Sequence, residues 1–425
     1  MPSTNLSVGW AANMQQQAVF GRKGVRENAA RTVSALRSRA VADDPAPVAA
    51  PTGPITYADL DGSERLVAAI PMLSVALVIG LWIIFGIQLY FAFDVGSGGL
   101  ISADALVAEG ADVRNLTIGA GEVWRVLLAP LLHSSYSHLA GNCLALFLVG
   151  VLLEPLIGRG WFVGIFALSG IGGEVGSLMG IPPWTPGVGA SGAITGLLAA
   201  AFVMSFSAET EEEGRRMRRR ALFFGVPALA PLIWGAHDHI NYYAHLGGAV
   251  VGGGIALIIE QTWDRVAFRP AFHRQAALAA AGLFALCLPA TAFAAMQFQE
   301  RRANASHFIP MAAYEQDFKT LANRAPEYQR RYADDPMTRI LTAVYDVENG
   351  QLSAGEGELR TAMAMAIPLR PWAESALHMT AQGVLAVLLK EEGRPRDAQR
   401  LADPLCGRWD NANVTEMLQK AKLCR

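Results

Sequence analysis

Seven stretches of this chain are apolar, nearly free of charge and close to the length of a bilayer-crossing helix: residues 66–93, 139–153, 161–179, 188–206, 221–235, 242–259 and 276–296. About 20 such residues span the hydrocarbon core as a helix. Inside lipid, a helix satisfies its own backbone hydrogen bonds and an open strand does not. The chain is therefore expected to be all-α, a polytopic membrane helix bundle of six core helices plus one further span, with a soluble α-helical domain at its C-terminal end. The second stretch is entered from His133, the third contains Glu174, and Pro289 is expected to kink the seventh. The second, fifth and sixth are short, as helices shielded from lipid can be.

The composition agrees. Of 425 residues, 52% are hydrophobic and 17% charged, against about 25% charged in ordinary soluble chains. The formal net charge is −2 and no basic stripe with interleaved aromatics occurs, so a nucleic-acid partner is not expected. Lys and Arg favour cytoplasmic loops. Here they cluster in the N-terminal tail (Arg22, Lys23, Arg26, Arg31, Arg37, Arg39), beside Arg159, in Arg215–Arg220, and at Arg265, Arg269 and Arg274, and are absent from the loops joining spans three to four and five to six. That alternation places the N-terminus in the cytoplasm and the C-terminal region outside.

Residues 1–65 read as a disordered cytoplasmic tail punctuated by Pro45, Pro47, Pro51 and Pro54. Its first 41 residues contain Glu27 as the sole acid and faintly resemble a mitochondrial presequence, but a bacterial inner-membrane protein is the favoured reading. Residues 261–298 supply a cytoplasmic loop and the seventh span. Residues 299–425 regain charge and read as an extracytoplasmic helical domain that offers a surface for a protein partner. Within it, two helix–glycine–helix segments turn at Gly350 and Gly393, 43 residues apart, and weakly resemble tetratricopeptide hairpins. Cys406 and Cys424 lie there, where a disulfide is permitted; Cys143 and Cys287 lie in spans and read as small packing residues.

Three segments carry polar groups that are costly in lipid unless paired or functional. They are His133, His138 and Asn142 at the start of span two, Gly189-Ala190-Ser191-Gly192 at the start of span four, and His245 early in span six. The charge-based topology puts all three at similar depth below the outer face. Gly192 and Gly196 on span four, with Gly247, Gly248, Gly252 and Gly253 on span six, suit close helix contact. Such contact would bring the Ser191 hydroxyl within reach of the His245 imidazole, the geometry that activates serine. His138 and Asn142, four apart, share a helix face and offer N–H groups to an oxyanion. Other readings remain open. One assigns the polar residues to helix entries alone; another assigns His138, Glu174 and His245 to the proton path of a transporter. His237-Asp238-His239 has metal-binding residue types, but no H-E-x-x-H accompanies it.

In this order the residues resemble the rhomboid family of intramembrane serine proteases, over roughly residues 66–260. The resemblance rests on Trp124-Arg125, the His133/His138/Asn142 spacing, Gly189-Ala190-Ser191-Gly192 and Ala244-His245-Leu246-Gly247-Gly248. It implies a six-helix core, Ser191 as nucleophile, His245 as general base without a third carboxylate, and an oxyanion site from the Ser191 N–H, His138 and Asn142. It implies no cofactor or metal, and substrates that are single-span or polytopic membrane proteins cut near the outer face. Trp124 and Arg125 would be structural in a half-submerged loop, and Glu154 would tie helices together. The chain departs from the family at Thr195, where an aromatic ring often stacks on the base; a Thr195 hydrogen bond to His245 is the expected substitute. Glu174 matches no family role. An inactive rhomboid-like binder is the nearest alternative function, although both nucleophile and base are present.

Overall fold

The uncharged stretches fold as helices in the computed structural model, which describes residues 71–208, 211–229, 240–264, 269–310, 313, 318–408 and 412–424. Helix α1 spans Met72–Phe91. A long connection follows, containing α2 (Ala103–Glu109), whose N-terminus is capped by Ser102. Helix α3, Tyr136–Gly180, holds both the second and third expected spans. Gly158, at φ 79° and ψ 161°, breaks it into two arms, a backbone conformation open to glycine and strained for other residues.

Helices α4 (Ser191–Met204), α5 (Glu211–Leu229), α6 (Tyr242–Thr262) and α7 (His273–Ala305) follow. Among the described residues, four helices are long and apolar enough to cross a membrane: α1, α3, α6 and α7. Two details differ from expectation. The short span is the fourth, at 14 residues, while α6 reaches 21; α4 is buried among its neighbours, with Leu197, Ala200 and Ala201 fully inaccessible, and has no lipid thickness to match. Helix α5 starts ten residues before the expected fifth span and takes in the arginines expected in a loop. Glu211–Arg215 and Glu212–Arg216 pair across one turn at 2.6 and 3.2 Å, and acids in the first turn complement the helix dipole. Helix α7 includes Pro289, the residue expected to kink it, with helical dihedrals throughout.

The centre of the bundle is a glycine seam. A methyl group on Gly248 of α6 would sit 1.9 Å from the Gly192 carbonyl oxygen of α4, and one on Gly252 would sit 2.1 Å from that of Gly196. The second arm of α3 joins from the other side, where Gly247 faces the Gly172 backbone. Backbone-to-backbone approach of this kind gives van der Waals contact in lipid, where the hydrophobic effect drives no helix pairing.

The two ends of the bundle differ. At one end Glu154, buried, accepts hydrogen bonds from the Leu73 and Ser74 amides and the Ser74 hydroxyl at 2.9, 2.8 and 2.6 Å, capping α1. Arg159 and Arg269 lie at this end. At the other end Gln88, near the C-terminus of α1, brackets the His133 backbone through its amide oxygen and nitrogen, and Ser191, His138 and His245 begin or nearly begin their helices.

The C-terminal residues form helices α8 (Pro336–Glu348), α9 (Leu352–Ala364), α10 (Glu374–Glu391), α11 (Pro395–Ala402) and α12 (Ala412–Lys420). Gly350 and Gly393, at φ 77° and 78°, turn the α8–α9 and α10–α11 hairpins, and Cys406 and Cys424 form a disulfide. This domain packs on the same end of the bundle as Ser191. Arg370 pairs with Asp104 of α2, Asn115 donates to the Trp372 carbonyl at 3.1 Å, and Trp372 packs with Val113, Leu116 and Trp184. The tail 1–65 and its presequence-like segment, and the His237-Asp238-His239 stretch, lie outside the described residues.

Candidate active site

Gly189 is the hub of the site. Its φ of +121° disfavours any side chain, and a methyl group there would lie 2.8 Å from His138 Nε2 and 3.5 Å from Asn142 Nδ2. Its N–H donates to the Ala129 carbonyl at 2.9 Å. Two residues on, Ser191 opens α4 and is half-buried. At the first helical position its N–H has no partner within the helix, so it is free to face an oxyanion.

His138 and Asn142 project from one face of the first arm of α3. Ser135 caps that helix by accepting from the His138 amide at 3.2 Å, and the Ser134 hydroxyl meets His138 Nδ1 at 3.1 Å. With Ser134 donating, Nε2 keeps the proton, on the atom beside Gly189. Asn142 Nδ2 is buried without a partner. A buried donor left unpaired costs about 1–3 kcal/mol, a cost that an incoming oxygen would relieve. His133 stands behind His138, ring centroids 5.1 Å apart and edge-on; both its ring nitrogens are buried without partners.

His245 is one helical turn into α6. Its Nδ1 lies 2.7 Å from the Ala228 carbonyl oxygen in the last turn of α5. A carbonyl only accepts, so Nδ1 carries the proton and Nε2 is the basic nitrogen. Asn241 caps α6 by accepting from the Ala244 amide at 3.1 Å, and the Tyr242 ring stands edge-on to His245 at 5.9 Å. Thr195 does not serve as expected: its hydroxyl donates to the Ser191 carbonyl at 2.7 Å, within its own helix. The aromatic neighbour of His245 instead comes from its own helix.

Ser191 and His245 are not hydrogen-bonded to each other, as is common in substrate-free sites. They are adjacent through their helices: a methyl group on Gly192 would lie 3.1 Å from the Ala244 carbonyl, and these are the residues next to Ser191 and His245. Together the groups provide an alcohol, a base of defined tautomer and N–H donors on adjoining helices, which is equipment for acyl transfer.

Arg125 and Trp124 hold the connection that walls the site. Arg125 is fully buried; Nη1 donates to the Val107 and Ala111 carbonyls at 2.8 Å each, and Nε to Glu122 at 2.7 Å. Arg301 of α7 binds the other Glu122 oxygen at 2.7 Å. The guanidinium lies 4.6 Å from the Trp124 ring centroid. Glu174 is also close to the site, in a buried polar cluster with Asp112 beneath Gly187. Burial pushes the Asp112 carboxyl up to about 6, against the pull of Thr117 and Arg125.

Sequence reasoning missed Ala228, Tyr242, Asn241 and Asp112. Asn241 was findable as an N-cap residue just before an apolar helix, and Tyr242 as the neighbour three residues before His245. A backbone carbonyl such as that of Ala228 leaves no trace in residue type.

Comparison with known proteins gives a consistent family. Residues 120–262 match the family model of the Rhomboid domain. The chain is 31% identical over 196 residues to rhomboid protease AarA of Providencia stuartii, covering 41% of this chain and 69% of that protein. It is 34% identical over 175 residues to rhomboid protease GluP of Bacillus subtilis, covering 40% of this chain and 32% of that one. RHOMBOID-like protein 1 of Arabidopsis thaliana is 30% identical over 169 residues, 38% of this chain and 42% of the relative. No solved structure matches.

Proposed function

Because the chain belongs to the rhomboid family, we propose that it is an intramembrane serine endopeptidase with Ser191 as nucleophile and His245 as general base. The observation that most supports this reading is the convergence on Gly189. His138 Nε2 and the unpartnered Asn142 amide both front it, Ser191 follows it, and the His245 helix presses on the next residue through Gly192 and Ala244.

In the proposed reaction Ser191 Oγ attacks the scissile carbonyl carbon as His245 Nε2 takes the hydroxyl proton. Nδ1–H stays on the Ala228 carbonyl, so the imidazolium is held in place by a backbone dipole and needs no acidic third member. The Ser191 N–H, His138 Nε2–H and Asn142 Nδ2–H receive the oxyanion. His245 then protonates the leaving amine, and a water activated by the same nitrogen releases the acyl group. The substrates are membrane-spanning helices, which must unwind locally to expose a peptide bond; Gly, Pro and small residues near the cut make that unwinding cheaper.

Cleavage at the outer face is supported by charge. Arg159, Arg269 and the α5 arginines lie toward the end opposite Ser191, the disulfide-bearing domain lies at the Ser191 end, and disulfides persist in oxidising compartments. The relatives include bacterial proteins, which favours an inner-membrane location. The tetratricopeptide-like hairpins α8–α9 and α10–α11 are proposed to take a protein partner or a substrate's soluble part.

The test is cleavage of a single-span reporter by the purified full chain in detergent, with Ser191→Ala alongside. Cleavage by wild type alone supports the reading. Equal cleavage by both would assign the activity to another nucleophile. A folded wild type that neither cleaves nor reacts with a fluorophosphonate would favour an inactive rhomboid-like binder.

A further inference from the structure

The mechanism leaves two buried acids unused. Asp112, between α1 and α3, is 1% exposed, and Glu174, in the second arm of α3, is 4% exposed. Neither Asp112 Oδ2 nor Glu174 Oε2 has a hydrogen-bond partner, and the two acids flank Gly187 closely enough to act on each other. The Asp112 backbone pairs in both directions with Gly187, at 3.0 and 2.7 Å. Gly187 leads by four residues to Ser191. On its other side a methyl group on Gly187 would lie 2.9 Å from Ser177 Oγ, 3.5 Å from Glu174 Oε2 and 3.6 Å from Asn241 Nδ2. Asn241 donates to Ser177 at 2.7 Å while capping the helix that carries His245. The two acids thus sit where the approach to the nucleophile meets the cap of the base helix.

We infer that Glu174 and Asp112 share one proton, with Glu174 as the neutral donor and Asp112 as the carboxylate, and that this pair is a positioning device that sets Ser191 against His245. The inference rests on the assignment of those two residues given above. The direction of the bond follows from the surroundings. Asp112 Oδ1 already accepts from the Thr117 hydroxyl at 2.5 Å, and the charged groups facing the pair, Arg125 and Arg114, belong to the same connection as Asp112. Among the described residues no cation pairs with Glu174, although Arg114 bonds the Leu178 carbonyl one turn beyond it. From the neighbouring elements come Gly187, Ser177 and Asn241, none of which titrates. Two ionised carboxylates in contact repel. Removing the shared proton would push Asp112, and Gly187 with it, away from Glu174 and the Asn241 cap.

The test measures kcat, KM and the rate of fluorophosphonate reaction at Ser191 against pH, for the full chain in detergent. Wild type, Glu174→Gln, Glu174→Leu and Asp112→Asn are compared. In wild type, kcat and labelling fall on the alkaline side as the shared proton leaves, with KM little changed. Glu174→Gln keeps a donor that cannot ionise, so it retains most of the neutral activity and loses the alkaline fall. Glu174→Leu and Asp112→Asn lose the bond or its charge and fall roughly 10- to 100-fold in kcat at every pH. An unchanged alkaline fall in Glu174→Gln would overturn the inference. So would Asp112→Asn proving the better tolerated variant, or Glu174→Gln failing to fold. These failures are separable from failure of the site assignment, which would show as wild-type cleavage without labelling at Ser191.

Discussion

Asn142 keeps two N–H groups beside Gly189 and has no partner for its nitrogen, which fits the proposed oxyanion role. Asn142→Ala is predicted to lower kcat by about 10²–10³-fold with KM little changed, by analogy with loss of one oxyanion donor in soluble serine proteases. Steady-state kinetics on a reporter would check it, and unchanged kcat would remove Asn142 from the oxyanion role. Gly189→Ala is predicted to abolish activity through both strain at φ +121° and collision with the His138 ring. At this scale Ser191, His245, His138 and Asn142 could be read as one set, because polar side chains in apolar helices are conspicuous. What supports His245 could not. The Ala228 carbonyl is backbone, and the aromatic neighbour came from Tyr242 instead of the expected position, where Thr195 turns to its own helix.

Among elements, the contact between α4 and α6 does most to bring the two halves of the site together. It depends on glycines that were legible as small-residue faces: Gly192 and Gly196 against Gly248 and Gly252. Gly248→Val is predicted to force the helices apart and abolish cleavage while leaving each helix formed. Circular dichroism with an activity assay would check this, and a fully active variant would show that the seam is slack. Arg125 holds the connection before α3 by three hydrogen-bonding groups from a fully buried position. Arg125→Ala strands two carbonyls and Glu122, a loss of about 3–5 kcal/mol by analogy with breaking a buried ion pair, and is predicted to lower the thermal midpoint measurably in detergent. The start of α5 was not legible, since a run of arginines reads as a loop by hydropathy while Glu–Arg pairs one turn apart hold it helical.

For the whole molecule, the C-terminal domain is built onto the end of the bundle that carries Ser191, through Arg370–Asp104, Asn115–Trp372 and the Trp184–Trp372 packing. Trp184 lies in the segment that leads to Ser191, and Asp104 and Asn115 lie in the connection before α3, so the domain braces both. Arg370→Ala combined with Trp372→Ala is predicted to speed amide exchange over residues 103–116 roughly tenfold, the equivalent of about 1.4 kcal/mol; unchanged exchange would mean that the domain merely rests there. The all-α class and the glycine turns of the C-terminal hairpins were readable from periodicity and turn residues. The docking was not, because an ion pair and two tryptophans far apart in sequence announce no pairing until the chain is folded.

The central claim is that His245 activates Ser191. The most direct measurement is fluorophosphonate labelling of the full chain in detergent, mapped by mass spectrometry, for wild type and His245→Ala. The account predicts a single adduct on Ser191 in wild type and labelling slowed roughly 10³-fold or more without the imidazole. An adduct elsewhere, or equal rates in the two proteins, would contradict it.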